Sequence, residues 1–128
     1  MRHLADTHTL LWWAEDSPRL SRRARSALTA DDSEILFSIA SAWELAIKHS
    51  LGRIRLAVPL AELLHAELQR HGIEMLPIDG RHVLRVANLP HHHGDPFDRM
   101  LVAQAQVEGV AVLTADPRFR EYDVQVVW

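Results

Sequence analysis

The stretch Arg2–Ala14, which reads RHLADTHTLLWWA, sets the pattern on which the fold is built. Arg2–Ala5 is a candidate for a short first strand, and Thr7–Ala14 carries apolar residues at helical spacing. Asp6 lies between them, at the carboxyl end of the predicted strand. The stretch therefore predicts a strand followed at once by a helix, with a carboxylate at the junction.

The same alternation continues to the end of the chain. Further strands are predicted at Glu34–Ser38, Ile73–Ile78, Val110–Thr114 and Val124–Trp128. Further helices are predicted at Leu20–Ala30, Ser41–Leu51, Pro59–His71, Gly80–Asn88 and Asp95–Glu108. Strands that alternate with helices indicate a parallel sheet covered on both faces. Because no repeat or linker interrupts the pattern, we expect one domain over residues 1–128.

The composition excludes several classes of protein. The 128 residues include no cysteine, which removes disulfides, thiolate nucleophiles and cysteine-bound zinc. No apolar run reaches the roughly 20 residues that cross a bilayer. Asp6 interrupts any amino-terminal signal sequence, so we expect a cytoplasmic protein with no membrane partner. The net charge of −3 argues against a basic protein that coats nucleic acid.

Acidic residues follow two of the predicted strands. Asp6 follows the first strand, and Asp116 follows the fourth strand within the segment LTADPRF. Ligands of parallel sheets bind at the carboxyl ends of strands, near the point where the strand order reverses. Each aspartate has an alternative role as a helix cap or a turn residue.

Two helices carry the other candidate carboxylates. Glu44 lies three residues after Ser41, so it could form a capping box instead of a functional site. Asp95 is a natural cap for the helix that begins at Pro96. At about 100° per residue, Asp98 falls on the apolar face of that helix, whereas Arg99 is expected to face solvent. A buried carboxylate costs several kcal/mol unless a cation or donors compensate it, so Asp98 favours a functional role.

The separate carboxylates together predict a divalent cation. If they converged at one edge of the sheet, they would repel one another and their pKa values would rise unless cations occupied the cluster. Oxygen ligands without a thiolate suit Mg²⁺ or Mn²⁺. Magnesium held in this way keeps water ligands and recruits substrate phosphates. The donor set is therefore typical of a metal-assisted phosphodiesterase.

Four motifs occur in the order and with the spacing found in PIN-domain proteins. They are LADTHTLLWW at 4–13, SIASAWELAIK at 38–48, DPFDRMLVAQA at 95–105 and LTADPRF at 113–119. Within that family, the chain most resembles the VapC-like toxins of bacterial VapBC toxin–antitoxin pairs. The resemblance covers essentially the whole chain.

This resemblance implies a three-layer α/β/α fold with a central five-stranded parallel sheet. It also implies a Mg²⁺- or Mn²⁺-dependent endoribonuclease that is silenced by a VapB-like antitoxin and forms a homodimer. The positions that match the acidic quartet, both as catalytic residues and as metal ligands, are Asp6, Glu44, Asp98 and Asp116. Asp95 resembles an extra carboxylate of one subgroup, and Thr114 matches a supporting hydroxyl.

Other residues have less specific interpretations. Candidate contacts to RNA phosphates are Arg22, Arg23, Lys48, Arg53 and Arg118, each of which could equally be a solvated surface residue. The three histidines at 91–93 predict a flexible polar loop beside the site rather than a metal site. The tryptophans at 12, 13 and 43 are expected in the core or in an interface. The leucines between positions 60 and 68 fit either the core or a groove for a partner helix.

Three alternatives to the toxin remain open from the sequence. One is a PIN-like nuclease that processes RNA or cuts structured DNA. Another is a receiver-like signalling domain, which also has an acidic pocket on a parallel sheet, although the only lysine, Lys48, precedes the strands where such a domain needs it. The last is a binding protein without catalytic activity.

Overall fold

The computed structural model describes residues 1–128 and contains one five-stranded sheet in which all strands are parallel. The strand order is β3-β2-β1-β4-β5. The strands are β1 (Arg2–Ala5), β2 (Glu34–Ser38), β3 (Glu74–Leu76), β4 (Ala111–Leu113) and β5 (Val126–Val127). The expected three-layer α/β/α fold with a central five-stranded parallel sheet is therefore confirmed.

Six helices connect the strands. They are α1 (Thr7–Ala14), α2 (Arg22–Thr29), α3 (Ile39–Ser50), α4 over residues 60–70, α5 (Gly80–Ala87) and α6 (Pro96–Glu108). Helix α4 changes to π-helical geometry at Leu63–Glu67. A short 3-10 helix, Pro117–Glu121, follows β4 and was not predicted from the sequence.

Two apolar cores lie on opposite faces of the sheet. Side chains of α1 to α4 pack on one face, against strand residues such as Phe37 and Leu113. Helix α6, with the segment around Phe119, packs on the other face against Leu4 and Val112. Successive strand residues point to opposite faces, so each central strand is apolar on both sides. Leu63 and Leu68 of α4 are buried in the first core, which resolves the leucine pattern in favour of core packing.

The strand order reverses between β1 and β4. The chain runs outward from β1 to β2 and β3, then crosses back to β4 on the other side of β1. The segments after β1 and β4 therefore leave the sheet side by side, and a ligand crevice is expected there. A receiver-like domain has the order 2-1-3-4-5 instead, so the strand order excludes that alternative.

Two local predictions were wrong. The third helix was predicted to begin at Ser41, but α3 begins at Ile39, because the Ser38 hydroxyl caps it by accepting from the Ala40 amide at 3.0 Å. Arg99 is buried rather than exposed, because the segment after β4 and the loop before α6 cover this face of the helix. Its guanidinium donates to the Pro90 carbonyl at 2.7 Å and to the Tyr122 hydroxyl at 3.2 Å.

The helices are all too short or too polar to be candidates for a membrane span.

Candidate functional site

Asp6 connects the first strand to the first helix and lies between β1 and β4. Its Oδ1 caps α1 by accepting from the Thr9 amide at 2.8 Å. Its Oδ2 accepts from the Thr114 hydroxyl at 2.5 Å, and its backbone amide donates to the Leu113 carbonyl. The Asp6 carboxylate therefore caps a helix and also lies at the switch in strand order, while its functional role stays a prediction.

Glu44 lies on α3 and is buried. Its carboxylate accepts hydrogen bonds from one residue of α1 and from one residue of its own helix. The Thr7 hydroxyl donates to Oε1 at 2.6 Å, and the Lys48 ammonium donates to Oε2 at 2.8 Å. The capping box with Ser41 is absent, because α3 begins before Ser41 and leaves its hydroxyl buried inside the helix. Glu44 therefore faces the segment after β1 rather than the end of its own helix.

The first turn of α6 carries two carboxylates with different environments. Asp95 caps the helix, and its Oδ1 accepts from the amides of Phe97 and Asp98. The Asp98 side chain is only 15% exposed and accepts one hydrogen bond, from Arg118 at 3.1 Å. The position of Asp98 therefore agrees with the helical spacing that placed it on an inward face.

Asp116 follows β4 and caps the 3-10 helix through the Arg118 amide. The Arg118 guanidinium returns to the same carboxylate, with Nη2 2.7 Å from Oδ2. The Thr114 hydroxyl accepts from the Asp116 amide at 3.0 Å while it donates to Asp6. One threonine side chain thus connects the two aspartates that follow the central strands.

These elements surround one polar cavity of about 410 Å³. Its walls include all five candidate carboxylates together with three basic side chains, which are Arg19, Lys48 and Arg118. A larger open depression of about 1060 Å³ lies beside α5 and α6 and includes none of the five. The acidic cavity, although smaller, is therefore the candidate site.

Burial and mutual repulsion perturb the acids of this cavity. Burial first, and then the charge of Asp95, raises the pKa of Asp98 to about 7, although Arg118 opposes the shift. Burial also raises the pKa of Asp6 against the hydrogen bonds from Thr114 and Thr9. Hydrogen bonds from the Arg118 side chain lower the pKa of Asp116. The five carboxylates also outnumber the three side chains Arg19, Lys48 and Arg118 in this cavity.

The carboxylates of the cavity are the kind of ligand that a hard divalent cation prefers. In this structure, however, three of them form ion pairs with basic side chains. The four candidate ligands and the supporting Asp95 are all carboxylates, and oxygen ligands are those that Mg²⁺ and Mn²⁺ prefer. No three acidic or histidine side chains are already grouped as ligands of a single ion. Asp98 and Asp116 are turned toward Arg118, and Glu44 toward Lys48. These carboxylates would have to exchange a basic side chain for a metal.

Only two of the five candidate RNA contacts lie at this cavity. Lys48 and Arg118 line it, each in an ion pair with a carboxylate. Arg22, Arg23 and Arg53 are exposed elsewhere on the surface. The structure therefore brings together the acidic residues but not all of the basic ones.

The predictions for the tryptophans agree with the structure only in part, and the histidine loop contacts Tyr122. The rings of His92 and His93 pack edge-on against Tyr122, and His93 accepts from the Asp95 amide at 3.2 Å. The loop thus packs on Tyr122 and contacts the cap of α6, and its predicted flexibility stays a prediction. Trp12 and Trp13 pack partly against the core, but Trp43 is 61% exposed, beside Phe97.

Sequence reasoning missed the Thr7 hydroxyl, which donates to Glu44, and the Thr9 amide, which donates to Asp6. Thr9 follows the capping Asp6 at the helix position whose amide a cap usually binds, so its amide contact was foreseeable. The bond between Thr7 and Glu44 joins residues 37 positions apart. No local pattern indicates such a pair.

Comparisons with known proteins agree with this geometry. A family model described as the PIN domain matches residues 4–125. Ribonuclease VapC22 of Mycobacterium tuberculosis is 32% identical over 120 residues, which are 93% of this chain and 90% of that protein.

Solved structures share the fold at low sequence identity. VapBC2 from Rickettsia felis, bound to a promoter DNA fragment, matches with a TM-score of 0.72 and 13% identity over 98% of this chain and 97% of that one. A toxin–antitoxin complex from Klebsiella pneumoniae matches with a TM-score of 0.66 and 16% identity over 98% and 96% of the two chains. With the matched family model and the VapC relative, these findings show that the chain belongs to the PIN-domain family.

Proposed function

We propose that the chain is a divalent-metal-dependent endoribonuclease and the toxin of a toxin–antitoxin pair. The observation that carries this proposal is the meeting of Asp6, Glu44, Asp98 and Asp116, from four separate segments, at one cavity. Holding these carboxylates together in a partly buried cavity lowers the free energy of unfolding. The arrangement therefore indicates a role in function rather than in folding. The 32% identity to a ribonuclease supports RNA as the substrate.

In this proposal, Asp6 and Asp98 hold Mg²⁺ or Mn²⁺, and Glu44 and Asp116 complete the site directly or through water. A divalent cation held by these residues would supply a bound water of lowered pKa and would offset charge on the leaving oxygen of the phosphodiester. Asp95 has a positioning role, because its carboxylate is already engaged by the two backbone amides that begin α6.

Three threonines keep the ligands oriented. The Thr114 hydroxyl and the Thr9 backbone amide each donate to a different oxygen of Asp6, so its carboxylate is fixed before any cation arrives. Thr7 fixes Glu44 in the same way from α1. Rigid ligands of this kind reduce the reorganisation that binding and catalysis require.

Basic residues are proposed to bind the RNA backbone. Lys48 and Arg118 are close enough to the carboxylates to contact the phosphate that is cut. Arg22, Arg23 and Arg53, which lie away from the cavity, can contact only phosphates farther along the strand. Without the five cavity carboxylates, the chain has 12 acidic and 14 basic residues, a balance that permits such contacts.

A toxin of this kind acts in the cytoplasm and is held inactive by an antitoxin. The solved VapBC2 structure and the toxin–antitoxin complex that share this fold support a VapB-like protein as the partner. We therefore expect expression of this chain alone to stop growth, and expression with its cognate antitoxin to restore it. Growth that continues with the chain alone would contradict the toxin assignment.

A homodimer is also part of the proposal. Ile39 and Trp43 are exposed one turn apart on α3, where a second copy could cover them. Sedimentation of the purified protein tests this assembly. We expect the mass of a dimer for the wild type and a shift toward monomer for Trp43→Glu.

The activity is tested by incubating purified protein with single-stranded RNA and, separately, single-stranded DNA. We expect RNA cleavage with Mg²⁺ or Mn²⁺ and none with EDTA. Asp98→Asn should reduce the rate by at least about 100-fold, because it removes a proposed ligand. Asp31→Asn, a change at an exposed loop residue, is the matched control and should cleave normally.

Each outcome separates the alternatives. Cleavage that survives EDTA would contradict the metal mechanism. Faster cleavage of DNA than of RNA would favour the alternative PIN-like nuclease. No cleavage of either polymer, by a protein that still binds RNA, would favour a binding protein without catalytic activity.

A further inference from the structure

Arg118 bridges two carboxylates that belong to different segments of the chain. Its Nη2 lies 2.7 Å from Asp116 Oδ2 and 3.1 Å from Asp98 Oδ2. Its Nε also lies within 3.2 Å of both oxygens of Asp116. The side chain is 48% exposed, so it can leave these carboxylates without disturbing a packed core. A single guanidinium thus satisfies two proposed metal ligands.

We propose that Arg118 acts as an internal cation that occupies the acidic cavity until a divalent metal displaces it, after which it binds an RNA phosphate. The inference rests on the proposed function and assigns the exchange to one residue. Arginine suits both partners, because its planar donors match carboxylate and phosphate oxygens equally well.

The charge distribution supports an exchange rather than a permanent ion pair. Asp98 accepts no hydrogen bond except that from Arg118, so displacement leaves a largely buried carboxylate, 15% exposed, without a partner unless a metal neutralises it. Glu44, in contrast, keeps the Thr7 hydroxyl whether or not Lys48 stays. The guanidinium is therefore the group whose departure is most closely coupled to metal entry.

Arg19 provides a matched comparison within the same cavity. It also lines the cavity and carries the same charge, but it forms no ion pair with any of the carboxylates. A change at Arg19 thus alters the local potential without freeing a ligand. A change at Arg118 alters the local potential and also frees two carboxylates. The difference in metal affinity between the Arg118 and Arg19 variants therefore measures the competition between the guanidinium and the metal.

The first measurement is calorimetric titration of Mn²⁺ into EDTA-stripped protein that contains no RNA. We expect Arg118→Gln to bind Mn²⁺ about three- to tenfold more tightly than the wild type, because one competing ion pair is removed. Arg19→Gln should change the affinity by less than about twofold, since that exposed charge is screened. Circular dichroism establishes that both variants are folded.

Two negative results are distinguishable. If the wild type binds Mn²⁺ and Arg118→Gln binds it equally or more weakly, this inference is overturned and the proposed metal site stands. If neither protein binds Mn²⁺, both the inference and the metal mechanism are wrong.

The second measurement tests the transfer to phosphate. Binding of a fluorescent single-stranded RNA is measured at 4 °C in the first seconds after mixing, with a gel to show that the RNA is intact. Arg118→Gln should weaken binding about threefold or more with Mn²⁺ but less than about twofold in EDTA, because the arginine is free only when metal is bound. An equal loss in both conditions would overturn the exchange.

Discussion

The hydroxyl of Thr114 joins the ends of the two central strands by donating to Asp6 Oδ2 and accepting from the Asp116 amide. Asp6 and Thr114 are 108 positions apart in sequence, yet both are buried at the point where the strand order reverses. The bond fixes the carboxylate that we propose as a principal metal ligand. Orientation of a metal ligand by such a partner is often worth a factor of 10 to 100 in metal affinity or activity.

Removal of this hydroxyl should weaken both the site and the fold. We expect Thr114→Val to lower the RNA cleavage rate about 10- to 100-fold and the free energy of unfolding by about 1–2 kcal/mol. Thr114→Ser keeps the hydroxyl and serves as the control. Urea denaturation and cleavage kinetics measure the two effects. Equal activity of the valine and serine variants would show that this hydroxyl does not support the site.

Arg99 should be a structural residue. Its guanidinium satisfies the Pro90 carbonyl, which belongs to the loop that precedes α6. Arg99→Met leaves that carbonyl without its partner, so we expect a loss of about 2 kcal/mol in the free energy of unfolding. Arg85→Met, at an exposed position on α5, should change it by less than about 0.5 kcal/mol. Thermal or urea unfolding of the two variants provides the comparison.

Gln104 should hold α6 in register with the sheet. It is fully buried, accepts from the Ser38 hydroxyl and donates to the Pro77 carbonyl at 3.3 Å. Gln104→Leu leaves the Ser38 hydroxyl without its acceptor, although that hydroxyl still accepts from the Ala40 amide, and leaves the Pro77 carbonyl without its donor. It should destabilise the fold by about 1–3 kcal/mol. Gln69→Leu, at an exposed helical position, is the control and should unfold like the wild type. A stable Gln104→Leu protein would contradict this role.

Asp98 should make the metal-free protein less stable as the pH rises, against an opposite contribution from His3, whose pKa is lowered by burial. Between about pH 4 and pH 7, folded Asp98 keeps its proton while unfolded Asp98 has released it, because burial raises the folded pKa to about 7. The folded state therefore binds more protons, and the free energy of unfolding falls with rising pH and levels off above pH 7. Burial raises the pKa of Asp6 in the same direction.

Unfolding in EDTA at several pH values measures this dependence. After allowance for the partial exposure of Asp98, its share should be about 1–2 kcal/mol. Asp98→Asn cannot titrate, so its stability should vary less over this range. A variant with the same pH dependence as the wild type would show that Asp98 titrates normally.

The sequence predicted the fold well because the fold follows from repeated local patterns. Helix α1 has the predicted bounds Thr7–Ala14, and β2 has the predicted bounds Glu34–Ser38. The same local reasoning failed at Arg99, because the covering segment comes from residues beyond β4. It also failed at Ser41, since Ser38 competes for the cap and begins the helix earlier.

The acidic cluster was predictable only in outline. Strand ends identified Asp6 and Asp116, and helical spacing identified Asp98, because each of these signals is local. The basic side chains that form ion pairs with these carboxylates could not be assigned from the sequence. Whether Arg118 reaches Asp98, 20 positions away, depends on the path of a 3-10 helix that no periodicity indicated.

The central claim is that carboxylates from separate segments form one divalent-cation site. Crystals grown without metal and then soaked in Mn²⁺, with data collected at the manganese absorption edge, test it most directly. We expect an anomalous peak within ligand distance of Asp6 and Asp98 in the wild type, and none in crystals of Asp98→Asn. A peak elsewhere on the protein, or none at all in crystals of a protein that cleaves RNA with Mn²⁺, would contradict the claim.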